Sequence, residues 1–171
     1  MNTTFISTTL IKRHTPLHLE RQLIKGCYMV GWGCRGLNIS KHVEYSITED
    51  EAESLLSLKI EKILDTIQST VTSQLTQNMI DALVSYIHSI GCNKWSASSV
   101  LKEINLGRYN KASSFMLKNC VYGRGEDTKL KLRRVDEVSL FLTKDEFVFN
   151  KRTNLGRGRK PKAEFERRYY K

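Results

Sequence analysis

The sequence has 171 residues, of which 40% are hydrophobic, and this size and composition suit a single globular domain with its own core. No segment approaches the roughly 20 consecutive apolar residues that a membrane-spanning helix needs. The first nine residues contain neither a cationic start nor an apolar run of signal-peptide length. These features argue against a membrane span and a secretion signal, so we expect a soluble protein that is made and first held in a cytoplasm.

The net charge of +10 is concentrated at the carboxyl end. Residues 144–171 contain ten lysines and arginines against four acids, which gives this segment a net charge of +6. Basic segments attract polyanions such as nucleic acid or an acidic protein face. We therefore predict a basic tail at 144–171. Its candidate residues for binding nucleic acid or a protein partner are Arg157, Arg159, Lys160 and Lys162, and a merely solvated tail is the alternative.

The amino-terminal part of the chain has weak secondary-structure signals. Residues 27–30 have strand character and lead into Gly31 and Gly33, which predict a turn. We assign residues 1–9 to an amino-terminal extension and residues 10–47 to a small β-containing lobe. The four cysteines are scattered and do not have the paired spacing of a zinc site, so the sequence predicts neither a metal nor another cofactor.

The helical signals begin at Thr48. Thr48 and Glu51 have the spacing of a capping box, in which a hydroxyl and a carboxylate satisfy the first backbone N–H groups of a helix. Apolar residues then recur at three- and four-residue steps as far as Ile67. The acids at 49–51 are explained by helix capping, and no catalytic role is assigned to them.

Four further helices are predicted by the same periodicity, and together they make residues 48–143 a helical lobe. The second runs from about Gln77 to Ile90, with Gly91 where a terminating glycine is expected. The others cover approximately residues 98–105, 110–120 and 130–142. Trp95 lies between two of these helices and is expected to be a core residue.

Several motifs in the helical lobe occur in an order and spacing that resemble one known family. They lie within residues 46–56, 75–87, 98–101, 104–109 and 133–137, and they include Asp-Ala-Leu in the second of these segments and Arg-Arg-x-x-Glu in the last. Together they resemble the phage-type lysozymes, the endolysin muramidases of glycoside hydrolase family 24. The resemblance covers roughly residues 10–142 and implies an α+β fold, mainly α, of the lysozyme-like type.

The same resemblance implies where the catalytic residues of this family would fall. Such muramidases carry a glutamate at the end of the first helix, in a Glu-Gly pair, then an aspartate, and then a threonine that follows a Gly-x-Gly-His turn. Two carboxyl groups flanking the scissile bond perform the chemistry. In this sequence the Glu-Gly pair falls on Thr15 and Pro16, the aspartate segment falls on residues 22–24, and the His-Thr pair falls on Cys34 and Arg35. Each of these positions departs from the family pattern.

Few other residues of the small lobe offer equivalent chemistry. Glu20 is the single acidic residue between Met1 and Val43 and is therefore the one candidate acid there. His14 and His18 have the spacing of two metal ligands on a helix, but Pro16 lies between them and no third ligand is evident. Trp32 and Arg35 are the candidates for residual glycan binding in the cleft, and a solvated Arg35 is the alternative.

These observations favour a phage-derived lysozyme-like protein that has lost its muramidase residues. Such a protein would be a structural or binding module of a virion or assembly, with contacts made through its terminal extensions. The first alternative is a divergent, weakly active peptidoglycan muramidase, and the second is a nucleic-acid-binding protein that uses its basic tail. The resemblance places the protein in the host cytoplasm during phage production, with the virion as a further location.

Overall fold

The computed structural model describes residues 5–24, 27–35, 46–122, 125–144 and 147–149. These residues are mainly helical, and they include a small three-stranded antiparallel sheet near the beginning of the chain. The predicted α+β, mainly α class is therefore confirmed. The described residues divide into two compact units, one within 15–62 and the other formed by 5–14 and 63–149.

The first unit contains the sheet. Its strands are β1 (His18–Ile24), β2 (Cys27–Gly31) and β3 (Cys34–Arg35), paired antiparallel in that order. Gly31 and Gly33 form the turn between β2 and β3 with φ angles of 59° and 75°, which residues other than glycine rarely adopt. A Cβ at Gly31 would also lie 3.4 Å from the Cβ of Ala52. The predicted strand and turn are confirmed, whereas β1 had no clear signal in the sequence.

The core of the first unit joins this sheet to helix α2 (Glu49–Thr70), which continues past the end of the unit. The predicted capping box is present at its start: Glu51 N donates to Thr48 Oγ1 at 3.2 Å, and Thr48 N donates to Glu51 Oε2 at 3.0 Å. The helix then buries an apolar face. The core consists of Val30, Cys34, Ile47, Ala52 and Leu55, with Leu17 and Trp32 packed against it.

The second unit is built around one buried helix, α3 (Gln77–Ile90), whose residues from Met79 to His88 are all buried. The Thr76 hydroxyl caps it by accepting from Met79 N, and Gly91 ends it with a φ of 88°. The same unit also contains helices α1 (Phe5–His14), α4 (Cys92–Ser96), α5 (Ser99–Asn105), α6 (Tyr109–Lys118) and α7 (Thr128–Leu142). Its short strands are β4 (Leu75–Thr76), β5 (Val121–Tyr122), β6 (Gly125–Glu126) and β7 (Phe147–Phe149). The helices predicted from periodicity are thus confirmed, with ends that differ by at most a few residues.

Helix α1 differs from the sequence-based outline. It begins at Phe5, within the segment assigned to an extension, and it buries Ser7, Leu10 and Ile11. These positions have helical spacing, but Thr8 and Thr9 between them are poor helix formers, so the sequence signal is weak. The helix packs on α3 and α7 and therefore belongs to the second unit.

Among the described residues, no helix combines the length and apolarity needed to cross a membrane.

A buried ionic cluster connects α7 to the central helix. Glu137 is fully buried and accepts from Arg133 Nε at 2.9 Å and from Arg134 Nη1. Arg133 Nη2 also donates to the Ser85 carbonyl at 2.8 Å, and Arg134 Nη2 donates to Ser89 Oγ at 2.6 Å. Burial lowers the pKa of Arg133, and the Glu137 charge partly offsets this effect. Among the described residues, the Glu137 carboxylate thus contacts two buried guanidinium groups.

Trp95 occupies the core of the second unit, as expected. Its side chain is fully buried, and its Nε1 donates to Thr70 Oγ1 at 3.0 Å. Its ring meets that of Tyr86 edge-on, with centroids 6.5 Å apart. The indole thus joins α2, α3 and α4.

Candidate active site

Helix α1 ends at His14, and the positions where the resemblance placed the family's Glu-Gly pair follow directly. Thr15 is half-buried and Pro16 is exposed. Proline disfavours the helical conformation of the residue before it, which explains why the helix ends here. The structure therefore places Thr15 and Pro16 between α1 and β1. That they are degenerate catalytic positions stays a prediction.

Glu20 lies on β1 with an exposed side chain. Its backbone forms an isolated antiparallel bridge with Ser46, and the neighbouring Ile47 N donates to the Leu19 carbonyl at 2.8 Å. These backbone contacts fix the strand. The carboxylate is accessible from solvent, as a group that acts on a polymeric substrate must be.

Trp32 lies in the turn between β2 and β3 and is half-buried. Its Nε1 donates to Glu53 Oε1 at 3.2 Å, and its ring packs against the core of the first unit. Lys59 Nζ donates to the Gly33 carbonyl at 2.9 Å, so α2 fixes this turn at two points. The structure thus gives Trp32 a packing role, and its glycan-binding role stays a prediction.

Cys34 and Arg35 are adjacent on β3, and the alternation of a strand points them in opposite directions. Cys34 is 1% exposed and belongs to the core of the first unit. Burial raises the pKa of its thiol, and Lys59 partly counters that rise. Arg35 is exposed. Its placement fits the solvated alternative, and anion or glycan binding by Arg35 stays a prediction.

The burial of Cys34 predicts slow thiol chemistry. Because its pKa is raised, less thiolate is present at pH 8 than in an ordinary cysteine, and the thiolate fraction increases only at higher pH. Cys92 is only half-buried. We expect a short pulse of iodoacetamide at pH 8 to alkylate Cys92 at least about tenfold faster than Cys34. Peptide mass spectrometry measures both rates in one sample, and equal rates would contradict the burial of Cys34.

One pair of titratable side chains was missed by the sequence analysis. His14 Nε2 lies 2.9 Å from Asp136 Oδ2, and the His14 side chain is 12% exposed. Arg13 Nη1 lies 3.4 Å from the same oxygen. The sequence analysis considered His14 only with His18 as a metal ligand, but His14 ends a helix and His18 begins a strand, so the helical spacing does not apply. Asp136 lies 122 residues away from His14, and no local pattern links the two.

The candidate tail residues Arg157, Arg159, Lys160 and Lys162 lie outside the described residues. Their binding to nucleic acid or a protein partner stays a prediction.

The architecture defines the class of protein. A helical unit built around one buried helix, and a small three-stranded sheet joined to a long helix, form a lysozyme-like fold. The sequence profile described as Phage lysozyme matches residues 17–137. The chain belongs to the phage lysozyme family.

Individual relatives agree with this assignment. The endolysin of Bacillus phage B103 is 32% identical over 116 residues, which are 68% of this chain and 43% of that protein. The endolysin of Acyrthosiphon pisum secondary endosymbiont phage 1 is 33% identical over 111 residues, which are 64% of this chain and 73% of that protein. The chain therefore spans less than half the length of the first relative and about three quarters of the second.

Solved structures agree as well. The muramidase domain of SpmX from Asticaccaulis excentricus is similar with a TM-score of 0.74 and 29% identity, over 82% of this chain and 97% of that one. A mutant of P22 lysozyme is similar with a TM-score of 0.69 and 29% identity, over 84% of this chain and 99% of that one.

These findings correct the function favoured by the sequence. The interpretation of the chain as a structural or binding module that has lost muramidase activity is wrong, because the family match is to phage lysozymes and the similar proteins are endolysins and a muramidase domain. The interpretation rested on the scarcity of acids among residues 1–43. That scarcity concerns one segment only, whereas acid–base groups reach a site from any part of a folded chain.

Proposed function

We propose that this protein is a divergent peptidoglycan muramidase that hydrolyses glycosidic bonds of the cell wall. The observation that carries the proposal is the family match from residue 17 to residue 137, which includes both the small sheet and the central helices. The relatives named as endolysins and the similar muramidase domain support the same activity.

The reaction requires a proton for the leaving oxygen, a negative charge near the sugar carbon that becomes positive, and a water molecule. We assign the negative charge to Glu20, which is exposed on β1 in the unit that contains the sheet. Thr15 occupies the place where the resemblance puts the family's acid, and a hydroxyl is far too weak an acid for that role. We therefore expect slower cleavage than by an endolysin with two carboxyl groups, by about 10²–10⁴-fold.

The test uses the purified full chain and a suspension of purified peptidoglycan. We expect turbidity to fall and new reducing sugar ends to accumulate, because hydrolysis of a glycosidic bond releases one such end for each cut. The reducing-end measurement distinguishes a muramidase from an enzyme that cleaves the peptide part of the wall. The absence of new reducing ends after prolonged incubation over a range of pH would refute the proposal.

A matched pair of variants tests Glu20. We expect Glu20→Gln to lower the release of reducing ends by at least about tenfold, because the amide cannot stabilise the developing positive charge. Glu49→Gln is the control, since Glu49 is also exposed and lies in the same unit but only at the start of α2. Equal rates for the two variants would remove Glu20 from the mechanism.

A further inference from the structure

We propose that one outer face of the helical unit binds the surface of an anionic phospholipid membrane. The apolar part of this α1–α7 face consists of Phe5 and Ile6 on α1 and of Leu132, Val135 and Leu142 on α7, all of which are exposed. Both helices belong to the same compact unit. The proposal goes beyond the muramidase activity and does not depend on it.

Helix α7 is apolar on its outer side as well as in the core. Leu132, Val135 and Leu142 follow one another at steps of three and seven residues, which places them along one side of the helix. The other side carries Glu137 and Phe141, both of them buried. Packing within the unit therefore accounts for one side of α7 and leaves the outer stripe without an apolar neighbour on the helix that would cover it.

Helix α1 extends this apolar stripe sideways. Phe5 is 86% exposed, and together with Ile6 it lines a groove of about 440 Å³ between α1 and α7. Ser139, which also lines the groove, lies one helical turn from Val135 and from Leu142, so the groove borders the stripe. Apolar areas that extend over two elements of a folded surface mark sites of interaction with a partner or a membrane.

Two lysines flank the stripe. Lys129 lies three residues before Leu132, and Lys131 lies four residues before Val135, so each is a neighbour of the stripe on the surface of α7. Both lysines are exposed. Long cationic side chains next to apolar ones can keep their charge in water or near phosphate groups while their methylene stems cover apolar surface.

The acids of the two helices do not cancel this positive charge. Within the bounds of α1 and α7 the acids are Asp136 and Glu137, and Glu137 is fully buried. Asp136 Oδ2 lies 3.4 Å from Arg13 Nη1 and 2.9 Å from His14 Nε2. The exposed charge of the α1–α7 face is therefore positive.

An apolar stripe between cations fits an anionic membrane surface better than it fits a protein. Interfacial helices bury apolar side chains at the boundary of headgroups and acyl chains, and their lysines stay with the lipid phosphates. A second copy would bring the same cations to the same place, and the net charge of +10 opposes such an approach. The cores of protein interfaces are also depleted in lysine.

The first test measures co-sedimentation of the full chain with lipid vesicles. One set of vesicles contains phosphatidylcholine alone, and the other contains in addition about one third phosphatidylglycerol, an anionic lipid. We expect binding to the anionic vesicles that weakens as the salt concentration rises, because salt screens the attraction. Failure to bind the anionic vesicles, or equal binding to both sets, would refute the proposal.

A matched pair of double variants locates the apolar part of the surface. Leu132→Ser with Leu142→Ser is expected to weaken binding at least about tenfold, because two side chains no longer enter the interface. The control is Leu106→Ser with Leu117→Ser, which alters leucines of similar exposure, 53% and 41% against 59% and 46%, outside α1 and α7. The basic segment 144–171 is the same in both, so equal binding would assign the affinity to another part of the chain and refute the proposal.

A second pair tests the cations. Lys129→Gln with Lys131→Gln is expected to weaken binding to anionic vesicles at least about tenfold at low salt, because each cation near such a surface contributes about fivefold. Lys94→Gln with Lys102→Gln removes the same charge from exposed positions on α4 and α5 and is expected to change binding less than about threefold. Equal losses would show that net charge alone attracts the protein, contrary to the proposal.

A fluorescent probe tests entry into the interface itself. The added emission of Phe5→Trp, measured as the difference from the wild type, is expected to shift to shorter wavelength with anionic vesicles, because the indole leaves water. Leu106→Trp is the control and is expected to keep its wavelength. Far-UV circular dichroism identifies any variant that fails to fold, and an unshifted Phe5→Trp in a folded protein would refute the proposal.

Sedimentation equilibrium without lipid tests the rival occupant. We expect a monomer. A dimer that Leu132→Ser with Leu142→Ser dissociates would assign the α1–α7 face to a second copy of the chain and overturn the membrane proposal, whereas the muramidase activity is judged separately by the release of reducing ends.

Discussion

Replacing Glu137 with glutamine is expected to lower the free energy of unfolding by about 3–5 kcal/mol. The glutamine has the same size as the glutamate, so the change removes the charge with little loss of packing. Arg133 and Arg134, at 6% and 0% exposure, would then lose the carboxylate that both of them contact. The cost of an unpaired buried charge is much larger than the net worth of a surface ion pair.

Urea denaturation followed by far-UV circular dichroism measures this change. The control is Asp65→Asn, which removes an acid from an exposed position on α2 and is expected to change stability by less than about 0.5 kcal/mol. A loss below about 1 kcal/mol in Glu137→Gln would show that the two guanidinium groups are satisfied without this carboxylate.

Replacing Trp95 with alanine is expected to cost about 3–5 kcal/mol, the usual range for deleting a large buried aromatic side chain. The change leaves a cavity between α2, α3 and α4 and removes the edge-on contact with Tyr86. It also leaves Thr70 Oγ1 without the indole donor. Trp95→Phe keeps part of the packing and is expected to cost less.

The control for Trp95 is Leu106→Ala. Leu106 is 53% exposed, so its removal leaves no comparable cavity and is expected to cost less than about 1 kcal/mol. Urea denaturation again gives the values. Similar losses for the two alanine variants would mean that the Trp95 site collapses around the smaller side chain.

The parts of the fold that the sequence predicted are those with a local physical signal. Helix α3 has a hydroxyl cap at Thr76, a glycine at position 91 and an apolar face between them, and its predicted ends agree with the structure. The capping box of α2 has the same kind of local cause. Strands β4 and β7 pair Leu75 with Phe149, and no short-range pattern could connect positions so far apart.

The candidate site was predictable only in part for a similar reason. A comparison of motifs identified the family, and the positions that it gives for the catalytic residues along the chain stay a prediction. It could not reveal the contact between His14 and Asp136, because that contact depends on the packing of α1 against α7. The interpretation as an inactive module followed from counting acids in one segment.

The pairing of β7 with β4 bears on where the chain can be shortened. Leu75 and Thr76 lead directly into α3, and Phe149 and Phe147 are their partners. Deleting everything after α7 would remove these partners and expose the hydrogen-bonding edge of the segment that introduces the central helix. A version shortened at its carboxyl end should therefore retain Phe149, because the predicted tail at 144–171 includes strand β7.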